Sequence, residues 1–208
     1  MHAGPDTRGA KRRLRRDLRA ARRALGTEAQ AQAAEAVATH AMANPPLADA
    51  RAIVAYIASD GEIDIAPLMH QLQRSGRRIL LPRCLEDGSL ELVVVQPGSR
   101  LLATGPGGVL EPDGPAVSLD TVPLPAALLA PAVALDRRGN RLGRGGGAYD
   151  RLIPKIHRRN WEVVGLCHGE HVVDRLPTEA HDVAVDAILT ERGLVRPETQ
   201  VASPGRRS

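Results

Sequence analysis

The chain has 208 residues, a formal net charge of +4 and 43% apolar residues, yet it holds only two tyrosines, one tryptophan and no phenylalanine, so its core must be built from Ala, Val, Leu and Ile. Two cysteines far apart, Cys84 and Cys167, with no metal-ligand spacing around either, exclude a disulfide scaffold and a cysteine-based zinc site. The first residues carry no apolar leader, and the longest apolar stretch, 124–135, is broken by Pro125 and Pro131 and is too short to cross a bilayer, so a soluble cytoplasmic protein with no membrane partner is expected.

In residues 11–25 the apolar positions Leu14, Leu18, Ala21 and Leu25 recur at helical spacing, with Lys11, Arg12, Arg13, Arg15, Arg16, Arg19, Arg22 and Arg23 around the rest of the helix. The positive charge is therefore local, and the remainder of the chain is net negative. A binder of nucleic acid would spread such charge over its fold, so the polyanion to explain is small. After Gly26, Thr27 and Gln30 read as a capping box for a second helix that must stop before Pro45 and Pro46. An αα-hairpin is expected at the start, with residues 1–9 and 197–208 as disordered tails around a single domain of residues 10–195.

Residues 52–57 form an apolar, β-branched run, followed by the polar loop Ser59-Asp60-Gly61-Glu62, a helical pattern over 65–75 and a strand over 78–82. That order predicts a βαβ unit with parallel strands. Asp87-Gly88 then marks a hairpin turn into an antiparallel strand over 90–95. Residues 97–125, rich in Pro and Gly, read as irregular connection without a legible role. A buried strand over 127–135, a polar glycine loop over 136–147, a helix from Asp150 to about Arg159 containing Pro154, and strands over 163–167 and 187–190 complete the pattern. The fold class expected is α/β, a single three-layer domain with a mostly parallel sheet.

The loop Asn140-Arg141-Leu142-Gly143-Arg144-Gly145-Gly146-Gly147, closed by Tyr149-Asp150, carries the chemistry. Glycines without Cβ let backbone N–H groups converge, and the following helix N-terminus adds positive potential, which together make an anion site. Arg141 and Arg144 add forked donors for phosphate oxygens, and Asp150 can cap the helix or hold a divalent cation. The run is neither a Walker A sequence nor a dinucleotide fingerprint. A flexible glycine loop is the bland alternative, which the interleaved arginines and terminal carboxylate disfavour.

This loop resembles the signature of the 5-formyltetrahydrofolate cyclo-ligase family. Lys11-Arg12-x-Leu14-Arg15, Glu62-Ile63-Asp64, Leu81-Pro82-Arg83, Glu170, Leu176-Pro177 and His181-Asp182-x-x-x-Asp186 support the resemblance in order along roughly residues 11–190. The resemblance implies ATP- and Mg²⁺-dependent cyclisation of 5-formyltetrahydrofolate by a monomer. It implies ATP contacts from Lys11, Arg15, Arg141, Gly143, Arg144, Gly145, Gly146, Gly147 and Tyr149, with Arg144 also catalytic. Folate contacts are implied for Ile57, Glu62, Arg144 and Ala148, and Mg²⁺ ligation for Asp150 and Asp182. The solvated-helix reading is kept for Arg12, Arg13, Arg16 and Arg19. A zinc constellation of His168, Glu170, His171, His181 and Asp182 is disfavoured by its spacing. Ala148 stands where relatives carry a tyrosine, and His168 and His171 are expected near the folate. The competing readings are a homologue that binds without turnover and a nucleic-acid binder.

Overall fold

The computed structural model of the chain describes residues 6–179 and 182–198. Helix α1, Thr7–Arg23, begins before the expected domain start because the Asp6 side chain caps it, accepting from the Gly9 amide at 2.8 Å. Residues 7–9 are therefore helical rather than tail. At the other end the Glu198 amide donates to the Arg137 carbonyl at 2.8 Å, so the C-terminal tail also starts later than composition suggested.

The buried side of α1 only partly follows its apolar residues. Ala21 is exposed, and the inward stripe runs through Lys11, Leu14, Arg15, Leu18 and Arg22. Helix α2, Thr27–Ala43, follows the short Ala24–Gly26 turn, but Gly26 is its N-cap and the Thr27–Gln30 capping box does not form. The Gln30 amide instead donates back to the Leu25 carbonyl at 3.1 Å. The two helices serve different cores. Leu14 and Leu18 pack on a small cluster with Val133, Leu142 and Leu176, whereas Ala33, Ala34, Val37, Ala38 and Ala41 of α2 face the main sheet.

Strand β1 is Ala52–Val54, followed by helix α3, Ala66–Arg74, and strand β2, Arg78–Cys84, which pairs with β1 in parallel as the βαβ pattern predicts. Strand β3, Leu90–Val95, returns antiparallel. The stretch expected to be irregular holds three two-residue strands, β4 (Leu101–Leu102), β5 (Glu111–Pro112) and β6 (Ala116–Val117). The single strand expected over 127–135 is divided into β7, Ala126–Pro131, and β8, Ala134–Asp136. Strand β9, Arg141–Leu142, and helix α4, Ala148–His157, come next. Strands β10 (Glu162–Leu166), β11 (Val172–Val173), β12 (Ala187–Thr190) and β13 (Gly193–Val195) complete the chain.

The main sheet has eight strands in the order β13-β12-β10-β7-β1-β2-β3-β6. Its five inner strands from β12 to β2 are mutually parallel, and β13, β3 and β6 pair antiparallel at the two sides. Side-chain alternation divides the core. Ile53, Ala55, Leu129 and Leu189 point to α2 and α3, while Val54, Leu128, Ala130 and Ile188 point to Leu152, Ile153 and Ile156 of α4. Three layers result. Each fully buried Leu or Ile contributes about 1.5–3 kcal/mol, so an aromatic-poor interior still holds together.

Strand β1 sits between β2 and β7, and the chain leaves β1 toward α3 on one face and β7 toward α4 on the other. That reversal opens a crevice beyond the carboxyl ends of β1 and β7, where open α/β sheets place their ligands.

Candidate active site beyond the central strands

A cleft of about 680 Å³ occupies that crevice. One wall is the glycine loop leading into α4, a second is the segment after β1, a third is the start of α1, and a fourth comes from residues 106–111. The residues expected to contact ATP, folate or Mg²⁺, from Lys11 and Arg15 through Ile57 and Glu62 to Arg141, Gly143–Asp150 and Asp182, line it.

Gly147 starts α4 at φ +69°, a left-handed conformation that a side chain disfavours, and Gly145 lies at φ +106°. Helix α4 begins at Ala148, earlier than Asp150 as expected, so Asp150 lies in its first turn and the N–H groups of that turn have no partner within the helix. Asp150 does not cap the helix: it accepts from Arg141 Nη2 at 2.6 Å. Arg141 is buried in β9, donates also to the Pro131 carbonyl at 3.3 Å, and lies over the Tyr149 ring at 5.5 Å, with its Nε buried and unpaired. It is a support inside the wall rather than an open fork. Burial pushes the Tyr149 phenol up, so the ring is a neutral apolar surface.

Arg144 reaches across the cleft. Its Nε and Nη2 donate to the two oxygens of Glu62 at 3.0 and 2.8 Å, and Nη2 also meets the Ser59 carbonyl at 3.0 Å and the Ser59 hydroxyl. Bidentate geometry of this kind is strong and directional. From α1, Arg15 Nε donates to the Gly143 carbonyl at 2.8 Å and Lys11 Nζ bonds Asp182 at 2.6 Å and Glu179 at 3.0 Å. Burial alone would lower the Lys11 ammonium, but its bonds to Asp182 and Glu179 outweigh that and hold it above its ordinary value. Burial lowers the Arg15 guanidinium, the neighbouring carboxylates opposing it. Arg151 ties the loop to the β2–β3 turn through the carbonyls of Gly88 and Gly146.

Several placements differ from expectation. Arg19 is not a solvated residue: its Nε donates to Asp60 at 2.5 Å. His168 and His171 are buried behind the Asp60–Gly61 turn, edge to face at 5.9 Å, and do not line the cleft. His157 pairs with Asp186 at 3.0 Å away from the cleft, and Asp186 also accepts from the Val163 amide at 2.8 Å, anchoring β10. His181 lies outside the described residues. Sequence reasoning missed the fourth wall of Pro106, Val109, Leu110 and Glu111. Glu111 holds it in place by accepting from the Cys84 amide at 2.8 Å and the Thr104 hydroxyl at 3.0 Å. No local pattern marked that segment as part of a site.

Among the described residues no three His, Cys, Asp or Glu side chains gather as a metal cluster. Asp150 and Asp182 nonetheless offer oxygen-only donors beside the glycine loop, which is the chemistry Mg²⁺ takes when one or two carboxylates and substrate phosphates complete its shell. Among the described residues no helix is long and apolar enough to cross a membrane.

Comparison with known proteins bears on this cleft. The model of the 5-formyltetrahydrofolate cyclo-ligase family matches residues 7–191. The 5-formyltetrahydrofolate cyclo-ligase of Escherichia coli (strain K12) is 34% identical over 178 residues, covering 83% of this chain and 96% of that protein. The enzyme of the same name from Mycolicibacterium smegmatis is 33% identical over 151 residues, covering 70% and 76%. The solved structure of Aquifex aeolicus 5,10-methenyltetrahydrofolate synthetase superposes with a TM-score of 0.76 at 28% identity, covering 94% of this chain and 96% of that one.

Proposed function

The chain belongs to the 5-formyltetrahydrofolate cyclo-ligase family, and from that premise we propose how its cleft closes the ring of 5-formyltetrahydrofolate to give 5,10-methenyltetrahydrofolate, with ATP converted to ADP and phosphate. The formyl oxygen attacks the γ-phosphorus as the bond to ADP breaks. N10 then attacks the activated formyl carbon and gives up its proton, and phosphate departs with the former formyl oxygen and carries that proton away. No covalent bond to the protein is needed, so rate enhancement comes from alignment and charge neutralisation.

The observation that carries this reading is the bidentate contact of Arg144 with Glu62, which brings the glycine loop and the segment after β1 to one place. Glu62 accepts from the amino and ring N–H groups of the pterin, beside Ile57 and Ala148. Arg144 leaves Glu62 to meet the phosphoryl oxygens. Gly143, Gly145, Gly146 and Gly147 present backbone to the triphosphate, Lys11 and Arg15 approach it from α1, and Tyr149 and Arg141 stiffen the wall behind. Asp150 and Asp182 would hold Mg²⁺, which would supply charge neutralisation at the phosphates.

We also propose a single cytoplasmic domain acting as a monomer. Nucleic acid is not a partner in this reading, because the excess positive charge is confined to one helix, whose Arg19 and Arg22 are spent on Asp60. Ultraviolet detection of methenyltetrahydrofolate from 5-formyltetrahydrofolate, ATP and Mg²⁺ tests the function. Product in excess EDTA would remove the metal from the scheme, and binding of both substrates without product would favour a homologue that has lost turnover.

A further inference from the structure

The segment that carries Glu62 is a thin partition. Tyr56, Ile57 and Glu62 border the cleft on one side and a second hollow of about 540 Å³ on the other. The Glu62 carboxylate is held there by Arg144 and by the Ser59 amide, which donates to Oε2 at 3.2 Å, so its aim depends on the short turn between Ser59 and Glu62. Within the partition the chain makes a tight turn: the Glu62 amide donates to the Ser59 carbonyl at 3.2 Å, and Asp60 and Gly61 both have positive φ, +55° and +74°. An aspartate in that conformation is held by its surroundings.

The surroundings are the second half of α1. Arg19 Nε donates to Asp60 Oδ2 at 2.5 Å, Arg22 Nη2 to the same oxygen at 3.2 Å, and Arg23 Nη1 lies 3.3 Å from Oδ1. Arg22 Nε also donates to the Asp60 carbonyl at 2.8 Å. The Arg22 side chain is only 1% exposed and its Nη1 has no partner, a costly placement for a guanidinium that nothing in the phosphate chemistry requires. A Cβ on Gly61 would lie 3.1 Å from the Arg22 carbonyl oxygen, so helix and turn are in backbone contact. Behind them, His168 Nε2 donates to the Gly61 carbonyl at 3.1 Å.

Resting on the folate role proposed for Glu62, we infer that the Arg19–Arg22–Asp60 cluster is a positioning device that aims the Glu62 carboxylate at the pterin. Asp60 and the two arginines do not touch substrate. They fix the turn from which Glu62 projects, and because Lys11 and Arg15 belong to the same helix, α1 sets both ends of the site against one another.

The test is steady-state kinetics on the full chain with Asp60→Asn, which tolerates positive φ while losing the charge, and with Arg19→Ala, whose side chain is partly exposed. Each is combined with Glu62→Gln. Halving the strength of the charge-assisted bonds to Asp60 should raise KM for 5-formyltetrahydrofolate roughly threefold to tenfold, with KM for ATP within about twofold. The same substitution should add less than about twofold in the Glu62→Gln background, as expected of residues acting through one another, and Arg19→Lys should recover part of the Arg19→Ala loss. Both KM values rising together, an undiminished effect in the Glu62→Gln background, or a lowered melting temperature with unchanged folate KM would overturn the positioning role. If Glu62→Gln itself leaves folate KM unchanged, the folate assignment of the site falls as well; if only the Asp60 and Arg19 variants are silent, the positioning role falls alone.

Discussion

The two halves of α1 carry the same residue types to opposite ends. Near its start Lys11 and Arg15 face the cleft and the glycine loop, where a ligand can take over from Asp182, Glu179 and the Gly143 carbonyl. In its second half Arg19, Arg22 and Arg23 converge on one carboxylate, Asp60, with Arg22 sealed from solvent. On the proposed reading the first half works by exchanging partners and the second by keeping them. Composition treats both halves as one basic helix; burial separates them.

Removing Arg22 should do most to break the second half. Arg22→Met leaves Asp60 short of a buried partner, a change worth about 3 kcal/mol, and in a chain of this size such a loss lowers Tm by roughly 6–12 °C. Thermal unfolding measures it, and a variant as stable as Arg13→Ala would mean that Arg22 supports nothing. Arg144→Ala should strike the exchanging side. Loss of a charge-assisted hydrogen bond costs about 1.5–3 kcal/mol, a tenfold to 150-fold fall in kcat/KM of roughly that span. Stopped assays of methenyltetrahydrofolate formation, with Arg13→Ala as the solvent-exposed reference, check it.

Ala148→Tyr sharpens the same contrast from the folate side. Ala148 is the first residue of α4 and lines the cleft. A ring there adds about 0.5–1.5 kcal/mol beyond area burial, so KM for 5-formyltetrahydrofolate should drop by roughly twofold to thirteenfold while KM for ATP stays put. The smallest effect concerns acid. Burial alone would raise the Asp60 carboxyl, but the Arg19 hydrogen bond and the charges of Arg19, Arg22 and Arg23 outweigh it and hold it below its ordinary value. Its stabilising contribution is thus present above the unfolded-state pKa and is lost as pH falls through the lower folded value. Asp60→Asn should flatten the acid limb of a stability profile measured by denaturant unfolding, and an identical limb would remove Asp60 from the account.

The parts of the site that were legible in the sequence are those whose chemistry is local. The glycine loop announces itself because adjacent residues share one concavity, and the βαβ unit follows from the order of apolar patterns around α3. Arg22 was illegible because a cation in a basic run reads as surface, and only a carboxylate far along the chain makes its burial tolerable. The strands β4, β5 and β6 are two residues each, β4 and β5 pairing with one another and β6 with β3, and runs so short carry no periodicity to mark them or the cleft wall they support. The division of β7 from β8 likewise depends on β9 and β11, which draw β8 into a separate three-stranded sheet.

The pairs across the cleft, Lys11 with Asp182 and Arg144 with Glu62, have a kinetic meaning as well as a geometric one. Each places a group that the proposed ligands need against another that they also need. A nucleotide or folate entering such a cleft trades one counter-ion for another, instead of stripping water from isolated charges. The reorganisation is then a sequence of short side-chain swings between saturated states. Either ligand that separates Arg144 from Glu62 leaves the freed group ready for the other, so each substrate should ease the arrival of its partner.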